Sequence, residues 1–426
     1  MFHEKESYFH QYHNFSANMV HNCSHNNMIH AMQESAILGR RVEKTAERIS
    51  RRLNKQSMIV VPSRELTIPR LHRNEIRVSK LLGRGGFNNV YEVSDINLME
   101  QTPLADVQEA RRRNLATQAS KRTFAIKFLS HNTMNNPDRY ISGASDLVME
   151  SKLLANLSHP NIVSLHGMSS DGTAGFRHSV EGNFFILIDK LDCTLLDVID
   201  TWKLQNDRLC NESPLNREHS LQNPDHRELF LQRLKVASSL SKAITYLHSN
   251  NIIFRDLKGE NIGFDINGTL KLFDFGLAKE LNQREGLSDG TYTMSGMTGT
   301  QRYMAPEVMS HKSYNLSADT YSYCVVMWEV FSLQQAYSGM GSAHHFHFVV
   351  ECDGRPSVDP AWPCELSTLL ITGWHADIQK RPQMSEICRV LERYTESAFQ
   401  ANKSLQVPVH KFPRNCERNA SKSRAS

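Results

Sequence analysis

The chain has 426 residues, 40% hydrophobic and 22% charged, with 21 Gly and 14 Pro. That length buries a large core or two lobes without staples, and the composition excludes a collagen-like, coiled-coil or wholly disordered chain. The net charge is +4, but residues 37–55 and 401–426 each carry a surplus of five positive charges, which leaves an acidic body at −6.

In chain order, residues 1–74 read as a mobile His-rich and basic leader. Its start, MFHEKESYFHQYHN, lacks an apolar signal core, and no apolar run reaches the ~18–20 residues of a spanning helix, so neither secretion nor a transmembrane anchor is expected. The histidines His3, His10, His13, His21, His25 and His30 have a spacing that fits no single metal site. Leu38, Val42, Ala46, Ile49 and Leu53 recur at helical spacing, which predicts a short amphipathic helix. The basic face over 38–55 is open to an anionic membrane surface or a calmodulin-like partner, against the ordinary reading of a solvated or domain-packed helix; nucleic acid is not expected.

From residue 75 apolar runs broken by glycine begin. IRVSKLLGRGGFNNVYEV (76–93) predicts two strands joined by a glycine-rich turn, and TFAIKFL (123–129) a third. Residues 95–122 are polar, an insertion. DLVMESKLLANL (146–157) puts Leu147, Glu150, Leu154 and Leu157 on one helical face, so a carboxylate points inward with leucines. NIVSLHG (161–167) and FFILIDKL (184–191) follow. Beyond 195 helices dominate: a second insertion at 201–228, an amphipathic run at 230–248, and YSYCVVMWEVF (321–331), which is apolar nearly all round and predicts a helix buried inside a lobe. A β-rich part followed by an α-rich part implies two lobes and a cleft. The eight cysteines form no C-x-x-C pair, so reduced thiols in an intracellular protein, cytoplasmic rather than nuclear, are expected.

Certain residues carry chemistry. Gly83-x-Gly85-x-Phe87-x-x-Val90 lies on the strand-turn-strand, where absent side chains let backbone N–H groups approach phosphate; an ordinary glycine hairpin fits equally well. Lys127 sits mid-strand among apolar neighbours and needs an anionic partner; the inward Glu150 is the natural one, with a simple buried salt bridge as the alternative. IIFRDLKGENIGF (252–264) offers Asp256, Lys258 and Asn261, and Asp274 follows in LKLFDFGLAKE. Asn261 and Asp274 are the sparse oxygen ligands that a magnesium–phosphate complex wants. Asp256 can accept a hydroxyl proton, and Lys258 can neutralise charge on a group in transit.

The ordered set LGRGGFNNV, FAIK, Glu150, HPNIVSLHG, FRDLKGEN, DFG, GTQRYMAPE, DTYSYCVVMWE and GWHADIQKRP resembles the eukaryotic protein kinases over about residues 75–395. DTYSY and the W-x-x-x-x-x-x-RP spacing look like the tyrosine-kinase-like branch, while Lys258 and Thr300 look like Ser/Thr specificity. The resemblance implies an α+β bilobal kinase fold: N-lobe 75–192 with insertion 95–122, C-lobe 193–396 with insertion 201–228, and a basic tail at 397–426. It implies transfer of the γ-phosphoryl group of ATP to serine or threonine of protein substrates, with Mg2+. Catalysis would fall to Asp256, Lys258 and Lys127, and metal to Asn261 and Asp274. Nucleotide would be held by Leu82, Gly83, Arg84, Gly85, Gly86, Phe87, Val90, Ala125, Lys127, Glu150, Asp189 and Leu191. Glu307 and Arg381 would pair for structure alone. Arg255 would meet a phosphate on the activation segment at Thr293, Ser295 or Thr298, placed there by an upstream kinase. A non-catalytic scaffold and tyrosine or dual specificity are the competing expectations.

Overall fold

The computed structural model describes residues 25–99, 106–119, 123–177, 180–212 and 223–404. The leader histidines up to His21, the basic tail from 405 and the inner parts of both insertions (100–105, 120–122 and 213–222) lie outside the described residues.

A six-stranded sheet in the order β1-β5-β6-β4-β3-β2 forms the first lobe, from β1 (Arg70–Leu71), β2 (Ile76–Arg84), β3 (Asn88–Ile96), β4 (Phe124–Leu129), β5 (Leu165–Ser169) and β6 (Phe185–Asp189). Only β1 pairs in parallel, with β5. All six residues of β4 are buried. Successive side chains of a strand point to opposite faces, so a strand buried throughout requires cover on both sides. Ala125 and Leu129 join the main core, whereas Phe124, Ile126 and Phe128 form a second core with Phe185 and Leu187. The helix α2 (Asp106–Ala119) closes that second core with Leu115 and Ala119. The polar insertion is therefore a lid on the sheet, pinned by a buried ion pair between Arg112 and Glu75.

Helix α3 (Pro137–Leu154) crosses the other face of the sheet, capped by Asn136, whose side chain accepts the Arg139 N–H at 3.0 Å. The first helix, α1 (His25–Gln56), lies along α3. Here the structure corrects the reading of 1–74 as a mobile leader: from His25 onward it is a helix and a strap docked on the first lobe. Leu38, Val42, Ala46 and Ile49 found a surface to bury against, with Val42 and Ala46 fully buried.

The second lobe is helical, built on α4 (Leu195–Glu212), α5 (Pro224–Ser249), α6 (Ser317–Ser332), α7 (Cys364–Gly373) and α8 (Met384–Ser404). Two short sheets carry the functional loops: β10-β9-β7, from β7 (Cys193–Thr194), β9 (Ile262–Phe264) and β10 (Leu270–Leu272), and β11-β8, from β8 (Ile252–Ile253) and β11 (Lys279–Glu280). Helix α6 is buried continuously from Ala318 to Phe331, as its all-round apolarity requires. Residues 201–212 continue α4, and α5 starts at Pro224. Among the described residues no helix is long and apolar enough to cross a membrane.

Candidate active site

Between the lobes, Lys127 on β4 meets two carboxylates. Its Nζ lies 2.6 Å from Glu150 Oε2 and 2.9 Å from Asp274 Oδ1. Glu150 is 1% exposed because it shares the inward face of α3 with Leu147 and Leu154, so only an ion pair makes its burial affordable. Burial disfavours the Lys127 ammonium, but Asp274 and Glu150 outweigh it and raise its pKa above the ordinary lysine value. Lys127 in turn holds the Asp274 carboxyl below the usual range.

Asp274 stands in the left-handed region at φ 66°, and this turn drives Phe275 into the core. The Phe275 N–H donates to Glu150 Oε1 at 3.4 Å, and its ring meets Phe254 edge to face at 5.2 Å. The two rings cross at 81°, so the edge of one meets the face of the other.

A second cluster forms around Asp256. Its Oδ1 accepts the Thr300 N–H at 3.0 Å and the Thr300 hydroxyl at 2.9 Å. Its Oδ2 accepts Asn261 Nδ2 at 3.0 Å and lies 2.8 Å from Lys258 Nζ, which also donates to Thr300 Oγ1 at 2.9 Å. Gly299 makes this approach feasible: at φ +99° a Cβ there would lie 2.3 Å from the Arg255 carbonyl oxygen. Asn261 spends its amide nitrogen on Asp256, so its oxygen is the end left to a cation. One carboxylate and one amide oxygen are hard donors, too few for an all-protein cage and suited to a divalent ion that also takes phosphate oxygens.

Above these clusters, the glycine turn keeps open space, since a Cβ on Gly83 or Gly86 would meet no atom within 4 Å. Gly85 N–H closes the turn on the Asn88 carbonyl at 2.8 Å, while Arg139 lies over the Phe87 ring at 5.3 Å and donates to Gly86 O. Arg84, Gly85 and Gly86 are exposed at the tip. Leu82 and Val90 are partly buried, and Ala125 and Ile188 are buried beside Lys127 on the paired strands β4 and β6. At the connection between the lobes, Lys190 N–H donates to Thr123 O at 2.9 Å and Asp189 N–H to Ser164 O at 3.3 Å. The Asp189 side chain is structural: against the effect of partial burial, His166, the Ser164 N–H and Lys271 hold its carboxyl at about 2.

Two glycines near the site admit neighbouring leucines. A Cβ on Gly263 would lie 2.7 Å from Leu191 Cδ1, so the Leu191 side chain occupies the space that a side chain at 263 would take. Gly259 takes up Leu196 in the same way, at 2.6 Å. On the segment after Asp274, Arg255 Nη1 reaches Ser295 Oγ at 3.4 Å, and the Ser295 and Thr298 hydroxyls lie 2.8 Å apart. Thr293 is exposed and outside this contact. Arg381 and Glu307 form a two-pronged pair at 2.7 Å on each prong.

The sequence reading passed over two residues here. Asp319, at the start of α6, accepts the N–H groups of Phe254 at 2.7 Å and Arg255 at 2.9 Å; the signal was its motif, read for family and not for contacts. Asp146 sits one helical turn before Glu150, and burial together with the charges of Asp274 and Glu150 pushes its carboxyl up to about 7.

The profile of the protein tyrosine and serine/threonine kinase family matches residues 76–391. The Arabidopsis thaliana serine/threonine-protein kinase STY46 is 39% identical over 37% of this chain and 26% of its own length. The Dictyostelium discoideum dual specificity protein kinase shkA is 26% identical over 76% of this chain and 50% of its own, and the probable serine/threonine-protein kinase drkD of the same organism is 27% identical over 78% and 21%. The chain spans about a quarter of the length of the plant relatives it matches. Kinases of this family use ATP and a divalent metal. With a β-sheet lobe over a helical lobe and the family match covering most of its length, the chain belongs to the protein tyrosine and serine/threonine kinases.

Proposed function

We propose that this protein transfers the γ-phosphoryl group of ATP to serine and threonine hydroxyls of protein substrates with Mg2+. The observation that carries the reading is Lys127 held between Glu150 and Asp274 while Asp256, Lys258 and Thr300 form one hydrogen-bonded group. Phosphoryl transfer asks the protein mainly for positioning and charge stabilisation. Lys127 presents a fixed cation to the α/β-phosphates. Asp256 orients the substrate hydroxyl and takes its proton, and Lys258 offsets charge on the group in transit. Asn261 and Asp274 would hold the magnesium, whose charge would offset that of the phosphate oxygens. Names of matched relatives that specify serine/threonine favour that specificity.

An upstream kinase or the chain itself would modify Ser295 or Thr298, because a phosphate there has the Arg255 guanidinium at hand. An intracellular, cytoplasmic location fits ATP use and the cysteines, none of which forms a disulfide among the described residues.

The test is phosphoamino-acid analysis after incubating purified chain with labelled ATP, Mg2+ and casein. Phosphoserine and phosphothreonine are expected, with a loss of about a thousandfold or more in Asp274→Asn. Stabilisation by Mg-ATP with no transfer by the wild type would assign a scaffold instead, and transfer at full rate by Asp274→Asn would overturn the roles.

A further inference from the structure

The stretch before residue 76 lies outside the family match, yet it contacts the helix that carries Glu150 and the strand that follows Asp274. Along α1, Val42 and Ala46 are fully buried in the main core, which includes Leu147 and Val148 of α3. Glu43, on the same inner face, is 5% exposed and receives two hydrogen bonds from Arg177, at 2.8 and 2.6 Å. Arg177 ends the loop Gly172–Phe176, whose Phe176 carbonyl accepts the Tyr140 hydroxyl of α3 at 2.8 Å, so this pair fixes α1 against a loop that is itself bonded to α3. Gly39 permits the approach: a Cβ there would lie 2.1 Å from the Arg177 carbonyl oxygen.

After α1 the chain wraps the C-terminal end of α3. Lys152 donates to Asn54 Oδ1 at 3.2 Å and pairs with Glu65, while Asn156 Oδ1 accepts the Val61 N–H at 2.9 Å. Between these anchors, Glu280 on β11 accepts the Met58 N–H at 2.7 Å and the Ser57 hydroxyl. Glu280 is six residues beyond Asp274, and Lys152 is two residues beyond Glu150. One strap is thus bonded to the helix that supplies Glu150 and to the strand that follows Asp274.

We infer that residues 38–65 form an intramolecular clamp whose positioning residues, Glu43, Ala46 and Ser57, hold α3 inward and keep Glu150 and Asp274 on Lys127. Without the clamp, fewer contacts oppose an outward shift of α3 that breaks the Lys127–Glu150 pair, and the productive arrangement would become a fraction of the population. The inference rests on the proposed phosphotransfer for its kinetic consequence but not for its structural one.

The full chain is assayed at saturating ATP with casein, alongside hydrogen exchange of residues 137–154. In Glu43→Arg, kcat is expected to fall about tenfold with KM for casein within about twofold, and exchange in α3 to accelerate about tenfold while α5 and α6 exchange as before. The reversal Glu43→Arg with Arg177→Glu is expected to restore both to within about threefold, which a merely structural defect would not do. Ser57→Ala, which removes only a strap hydroxyl and serves if Glu43→Arg does not fold, is expected to slow kcat about threefold with faster α3 exchange. Unchanged α3 exchange in Glu43→Arg and Ser57→Ala, or a double variant as loose as Glu43→Arg alone, overturns the clamp. If the wild type transfers no phosphate, the kinase reading fails, and exchange with its reversal alone still decides the clamp.

Discussion

The Asp319 carboxylate accepts the backbone N–H of Arg255 at 2.9 Å. Arg255 stands at φ 68°, a left-handed conformation that a non-glycine residue adopts only where its surroundings impose it. The other Asp319 oxygen takes the Phe254 N–H and lies 3.0 Å from His248, so one carboxylate at 1% exposure holds the backbone that presents Asp256. Removing it orphans two buried donors, each worth about 1–3 kcal/mol. Asp319→Ala is therefore expected to lose about 3–5 kcal/mol in urea unfolding and to cut kcat far more than it raises KM for ATP. Asp319→Asn, keeping one acceptor oxygen, should fall between it and the wild type.

Arg381 and Glu307 pose a different energetic problem. The Arg381 side chain is fully buried and also donates to the His375 and Ser317 carbonyls, so its charge has no access to water. Glu307→Ala leaves that guanidinium uncompensated, an expected loss of about 3–5 kcal/mol. Glu307→Gln, which retains one acceptor, should lose less. Chemical denaturation checks both, and a Glu307→Ala variant as stable as wild type would contradict the pairing.

Asp146 gives the nucleotide-free protein a pH dependence of definite sign. Its folded carboxyl titrates at about 7 against an ordinary 3.8, through burial first and then the charges of Asp274 and Glu150. Between those values the folded state holds a proton that the unfolded chain has released. The contribution is favourable below the unfolded pKa and is lost as pH rises toward 7. Asp146→Asn does not titrate, so its melting temperature is expected to gain on the wild type between pH 4 and 8. A difference independent of pH would refute the assignment.

Gly263 and Leu191 make a steric prediction. Any side chain at 263 meets Leu191 Cδ1 at 2.7 Å and the Cys193 carbonyl oxygen at 3.1 Å, and the carbonyl cannot swing aside as a side chain can. Gly263→Leu is expected to weaken Mg-ATP about tenfold by calorimetry, in line with the roughly 1–3 kcal/mol of overpacking. Combining it with Leu191→Ala should recover part of the loss, because it frees the space at Cδ1 but leaves the Cys193 carbonyl in place.

Much of the site was legible because its parts are local. Asp256, Lys258 and Asn261 lie within six residues, Asp274 follows on the next hairpin, and a short connection fixes their relative placement whatever packs around them. Lys127 and Glu150 were legible for another reason: a cation mid-strand and a carboxylate on a leucine face are each costly alone, and the expected pairing is the geometry observed, at 2.6 Å. Helical periodicity likewise marked Val42 and Ala46 as an apolar face.

Periodicity says that a face must be buried, but never against what. The surface that covers α1 is α3, the second core under β4 is closed by a helix from a polar insertion, and Ser57 meets Glu280 across 223 residues of chain. The space opposite Gly263 is filled by Leu191 for the same kind of reason. The sequence alone determined the family, the two lobes and the charged residues of the cleft, since these follow from local spacing and the cost of unpaired burial. Only the tertiary structure decided which surfaces those elements cover, because shape complementarity between segments distant in the chain leaves no periodic trace in either segment.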